Sequence, residues 1–149
     1  MKIKNVIFYI SFLLISSIVS ITPLHANEGA TGVIKERIDK FKMSKKMMQT
    51  IHKSIQNEDF RTIEKSATTL YNWSKEMIKY FPEGSDIAPS EASADIWLDP
   101  EGFKKAVNNF ELASLKLINN SKEKDFDNTV DSFRSLAGTC KGCHQKFRN

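Results

Sequence analysis

Beginning at Val33, apolar residues recur at helical intervals: Ile34, Ile38, Phe41, Met48, Ile51 and Ile55 fall three, four or seven positions apart. That spacing puts them on one face of an α-helix. The pattern ends near Gln56, where Asn57 to Asp59 can turn the chain and cap a second helix. Phe60, Ile63, Ala67, Leu70, Met77 and Phe81 continue at helical spacing until Pro82 stops them. From Phe81 to Asp99 two prolines, a glycine, three serines and no sustained period predict one long loop, with Trp97 in need of cover.

Asp99-Pro100-Glu101 then reads as a helix start: the aspartate caps free amides, the proline loses nothing at the first helical position, and the glutamate faces the positive end of the dipole. Phe103, Val107, Phe110, Leu117 and Ile118 form the third apolar stripe, which Asn119-Asn120-Ser121 is expected to break. The fourth stripe holds Phe126, Val130, Phe133, Leu136, Ala137, Cys140, His144 and Phe147. No segment alternates with period two between hairpin turns. The expectation is an all-α protein, an antiparallel four-helix bundle with one long loop between its second and third helices.

Ahead of the first helix, Lys2 and Lys4 precede a run from Val6 to Ile21 that is apolar apart from Tyr9 and four serines, followed by Thr22-Pro23-Leu24-His25-Ala26. A charged start, an apolar middle and a small-residue end describe a secretory signal peptide over residues 1–26, leaving a helical domain at 27–149. A membrane-spanning helix needs about 20 consecutive apolar residues, so no span is expected after cleavage. Without its leader the chain holds 20 basic against 18 acidic residues, a net +2, which removes the electrostatic case for a nucleic-acid partner. A length of 149 residues with 40% hydrophobic side chains suits one compact domain and excludes a multidomain enzyme.

The chemistry is concentrated at the end of the fourth stripe. The only cysteines, Cys140 and Cys143, are followed directly by His144 in Cys140-Lys141-Gly142-Cys143-His144. A C-x-x-C-H run reads as a site of c-type haem attachment, and random ordering of this composition would produce it only about three times in ten thousand. On a helix, positions three apart point the same way, so both thiols can reach the two vinyl groups on one porphyrin edge. His144 can then present an imidazole nitrogen to the iron, with Gly142 leaving room for the macrocycle. Export agrees, because c-type haem is attached outside the cytoplasmic membrane of bacteria, which places the protein in the periplasm.

Other uses of the cysteines fit less well. A thioredoxin-like pair wants a strand and a long stretch of chain after it. A zinc site has only His52 to complete its donors without a carboxylate. A disulfide closing so short a loop stabilises little and leaves His144 unexplained. For the sixth iron position, His52 reads as a surface residue, and Met43, Met47, Met48 and Met77 as core filler at helical spacing.

Four elements carry a family resemblance across the expected domain: Arg37-Ile38-Asp39-Lys40-Phe41, Phe81-Pro82-Glu83-Gly84-Ser85, Ile96-Trp97-Leu98-Asp99, and the stretch from Cys140 to Arg148. In this order they resemble cytochrome c', a family of class II c-type cytochromes. The resemblance implies one covalent haem c whose iron is held by His144, with Arg37 on a haem propionate and Trp97 and Arg148 flanking the haem. It places Phe41 over the distal face, where the low-spin, electron-carrying relatives have a methionine. A phenyl ring has no lone pair for iron. The resemblance therefore implies five-coordinate, high-spin haem, cycling between Fe(II) and Fe(III), whose apolar pocket binds NO or CO and serves NO tolerance. No catalytic residue is expected, NO detoxification being the one activity left open.

Two rivals stay open at this level. One is an electron carrier with Met43 or Met48 on the iron and Lys141, Lys146 and Arg148 as a basic rim for an acidic redox partner. The other is a haem-free structural or thiol-redox module. The resemblance also implies a homodimer through the first two helices, for which Tyr71, Trp73 and Ile78 are the expected apolar ground.

Overall fold

A computed structural model of the chain describes residues 31–149. The expected signal peptide, 1–26, lies outside the described residues. Five helices follow in order: α1 (Gly32–Gln56), α2 (Phe60–Glu76), the single turn α3 (Asp95–Leu98), α4 (Pro100–Glu123) and α5 (Phe126–Phe147). The four long ones form the expected bundle, α2 packing on α4, α4 on α5 and α1 on α2, whereas α1 and α5 meet far more sparsely. Among the described residues the sole strand-like feature is an isolated antiparallel bridge between Ala92 and Arg148, and no helix is long and apolar enough to cross a membrane.

Three aspartates start the helices. Asp59 accepts from the Thr62 amide, Asp99 from that of Gly102 and Asp125 from that of Asn128, each saturating an otherwise free N–H of the first turn. Gly102 leaves room for the Asp99 carboxylate that caps the helix, since an added Cβ would clash with that side chain. The last turn of the second helix tightens into a 3-10 segment, Met77–Tyr80, before Pro82.

The third helix outruns its expected break. Asn119-Asn120-Ser121 stays helical: the buried Ser121 hydroxyl donates to the Leu117 carbonyl, and the Asn120 amide reaches across to the Asn128 carbonyl and the Ser132 hydroxyl. The turn comes instead at Lys124, in the left-handed conformation at φ 57°.

The core holds Ile51, Ile63, Leu70, Leu117 and Leu136, all fully buried. In α5 the face turned inward differs from the apolar stripe: Thr129 and Ser132 are buried, while Phe126 is 42% exposed. Leu136 and Phe147 of the stripe remain buried, so the inward face of α5 mixes small polar and large apolar side chains. Trp73, expected at an interface, is only 2% exposed and belongs to the core, leaving the half-buried Tyr71 and the 47% exposed Ile78 on that face.

Candidate functional site

The final turns of α5 carry Cys140, Cys143 and His144 along the α1–α5 seam. Both cysteines are free, half-buried and packed against the apolar core. Burial pushes both thiols above their usual range, Cys143 to about 11 with the neighbouring Cys140 adding to the effect, so both stay protonated at neutral pH.

His144 is solvent-accessible on one side, lining with Lys141, Gln145 and Arg148 an open depression of about 410 Å³. On the other side its ring meets Phe41 of α1 edge-on, with centroids 6.2 Å apart. Partial burial, then the Arg148 charge, holds the imidazole below its usual pKa, with Glu91 pulling the other way.

Phe41 is itself the hub of an aromatic wall. Its ring stands at 89° to Trp73, centroids 5.8 Å apart, and 6.3 Å from Phe81, which packs on Phe103 and through it on Phe147. The Trp73 indole N–H is buried in this wall and finds no acceptor.

Arg37 lies one helical turn before Phe41 and is only 3% exposed. The resemblance puts it on a haem propionate; in the structure four of its five N–H groups engage Tyr80 and the 81–90 loop. One terminal nitrogen donates to the Tyr80 carbonyl and the Ser85 hydroxyl, each at 2.8 Å; the other donates to the Ser85 carbonyl at 2.6 Å and the Ser90 hydroxyl at 2.7 Å. The four N–H groups of its terminal nitrogens can thus all be satisfied within the protein. Its sequence partners Ser85 and Ser90 carry no signal beyond loop composition, which is why they escape a reading of the sequence.

Trp97 is half-buried against the core, its indole N–H donating to the Phe81 carbonyl at 3.2 Å and tying the two ends of the loop together. Arg148 binds the Glu91 carboxylate, and Lys146 pairs with Asp99. Two of the three cations of the expected basic rim, Lys146 and Arg148, are therefore paired with carboxylates of the protein itself.

Met43 lines a groove of about 220 Å³ between α1 and α2 with Lys40, Thr69 and Glu76, turned away from α5. Met48 packs in the core. His52 stacks on Phe133, centroids 6.0 Å apart, three turns before His144 and so about 16 Å away along the helix. Among the described residues, no three His, Cys, Asp or Glu side chains converge to hold a bare metal ion. Paired thiols at i and i+3 with an adjacent imidazole are instead the donor set for a porphyrin that brings its own iron, which would have to part the His144 ring from Phe41.

A family model described as Cytochrome C' matches residues 32–148. A cytochrome c' of Rhodospirillum rubrum is 41% identical over 69 residues, 46% of this chain and 47% of that protein, so the match spans about half that relative's length. One from Rubrivivax gelatinosus is 32% identical over 91 residues, 60% of this chain and 70% of that protein. The crystal structure of Rubrivivax gelatinosus cytochrome c' superposes with a TM-score of 0.71 at 27% identity, covering 78% of this chain and 94% of that one. The fold is also that of a cytochrome c prime mutant from Alcaligenes xylosoxidans in its nitric oxide complex, at 21% identity and a TM-score of 0.70 over 78% of this chain and 93% of that one. With a family match running from the first turn of α1 to Arg148, the chain belongs to the cytochrome c' family and takes that family's covalently bound haem c.

Proposed function

We propose that this is a periplasmic monohaem cytochrome whose five-coordinate, high-spin iron binds NO or CO reversibly and serves NO tolerance. Cys140 and Cys143 are the thioether positions, each thiol adding across one vinyl group so that sulfur bonds to carbon and its proton goes to the other vinyl carbon. His144 supplies the axial imidazole. When bound, the haem supplies an iron that cycles between Fe(II) and Fe(III) and takes a diatomic at its open position.

One observation carries the reading: the side chain facing His144 across the seam is Phe41, which has no lone pair. The wall behind it is aromatic, so little there would stabilise a polar bound O2, and NO and CO are favoured. The nitric oxide complex known for the Alcaligenes xylosoxidans protein gives the same chemistry on the same fold. The leader-like run before Val33 supports export. A second copy docking on the α1–α2 face belongs to the same proposal, with Ile78 as exposed apolar ground; sedimentation of the holoprotein tests it, a monomer at all concentrations counting against it.

Optical and electron-paramagnetic spectra of the oxidised and reduced holoprotein decide the main point. High-spin haem that takes up CO on reduction is expected. A six-coordinate, low-spin ferrous spectrum would return the electron-carrier account.

A further inference from the structure

Arg37 joins two things that the sequence keeps far apart. Its side chain crosses from α1 to the 81–90 loop, where the turn at Gly84, φ 76°, brings the buried Ser85 back toward the helix. There it grips Ser85 through both hydroxyl and carbonyl, and Ser90 through its hydroxyl. The guanidinium carbon also lies 4.4 Å from the centre of the Phe81 ring, and Phe81 in turn contacts Phe41.

The connection continues beyond the loop. The Ser90 hydroxyl that receives Arg37 also accepts the Ala92 amide, and Ala92 is bridged to Arg148 beside His144. The planar fork of an arginine, with several donors fixed in one geometry, can hold such a set of acceptors where a flexible ammonium could not. No carboxylate is hydrogen-bonded to it. The arrangement suits a latch for backbone and hydroxyl oxygens.

We propose that Arg37 is a positioning residue of the distal wall: by fastening the loop through Ser85 and Ser90 it holds Phe81 against Phe41, and so sets how readily a diatomic ligand enters opposite His144. The entry step rests on the gas-binding reading above; the latch itself does not.

The test compares holoproteins carrying Arg37→Gln and the double substitution Ser85→Ala with Ser90→Ala, which removes two of the three bonds from Arg37 to these serines and leaves the guanidinium in place. Three quantities are read: CO association after flash photolysis, hydrogen exchange of the 82–90 amides, and the propionate bending band in the resonance Raman spectrum. Both variants are expected to bind CO several-fold faster and to exchange loop amides about tenfold faster, with the propionate band unmoved.

A serine variant with wild-type CO association overturns the proposal, as does a propionate band shifted by Arg37→Gln and untouched by the serine changes. If Arg37→Gln does not fold, the serine variant decides alone. If the wild-type protein takes up no CO, the gas-binding reading fails, and loop exchange with the propionate band still judges the latch: faster exchange with a fixed band supports it, and slow exchange or a moved band overturns it.

Discussion

The Phe41 ring and the His144 imidazole stand 6.2 Å apart, inclined at 65°, on opposite sides of the α1–α5 seam. That contact puts beside His144 a side chain that cannot bind iron, and under the proposed reading Phe41 would face the open iron position. Replacing Phe41 by methionine supplies a thioether of similar length. The Phe41→Met holoprotein is expected to turn low-spin and to lose CO affinity by roughly tenfold or more, since each ~1.4 kcal/mol of sulfur–iron bonding to be displaced is a factor of ten. A spectrum that stays high-spin would mean that the Phe41 position does not face the iron.

The seam between α1 and α5 is the loosest contact between neighbouring long helices, and Phe41, Phe133, Cys140 and Cys143 along it are only partly buried. A bundle that leaves such residues half-covered depends on its cofactor to complete the packing. The Cys140→Ala, Cys143→Ala double variant, made without haem, is expected to melt at a lower temperature and less cooperatively than the holoprotein in calorimetry. Coincident melting curves would show that the haem adds nothing to the packing.

Much of this site is legible in the sequence, because the features that specify it are local. C-x-x-C-H, the Asp99-Pro100 start and the stripe from Phe103 to Ile118 each depend on residues a turn or two apart. What escaped depends on partners distant in the chain. Nothing near Arg37 in the chain announces its bonds to Ser85 and Ser90, more than forty residues on. Asn119-Asn120-Ser121 has the composition of a break, yet its polar groups are satisfied by Leu117 within the helix and by α5 across from it. In α5 the apolar period marks Leu136 and Phe147 correctly as buried but not Thr129 and Ser132, whose burial their polar side chains do not announce.

Acid weakens the helix starts. The Asp59, Asp99 and Asp125 carboxyls are held below their usual pKa of 3.8, first by the hydrogen bonds of Thr62, Lys146 and Asn128 respectively. Folded pKa values below the unfolded ones mean that the unfolded chain binds protons first as pH drops. Their contribution is full above pH 3.8 and is lost as pH falls through the depressed values. Asp125→Ala is accordingly expected to lower the melting temperature at pH 7, the gap to wild type closing in acid below that range. A gap that persists unchanged at the lowest accessible pH would rule out the ionised cap as the source.

Trp73 separates packing from hydrogen bonding in the wall behind Phe41. Its ring is buried against Phe41 and Tyr80, but its N–H reaches no acceptor, and a buried donor left without a partner costs about 1–3 kcal/mol. Trp73→Phe removes that donor along with part of the ring, so the lost volume is partly offset. Trp73→Ala removes the whole ring and leaves a cavity, typically at a cost of about 3–5 kcal/mol. Urea unfolding of both variants is expected to show Trp73→Phe losing under about 2 kcal/mol and Trp73→Ala the larger amount. If the phenylalanine variant falls as far as the alanine one, the indole N–H has an acceptor in solution, and the wall is more polar than its aromatic rings suggest.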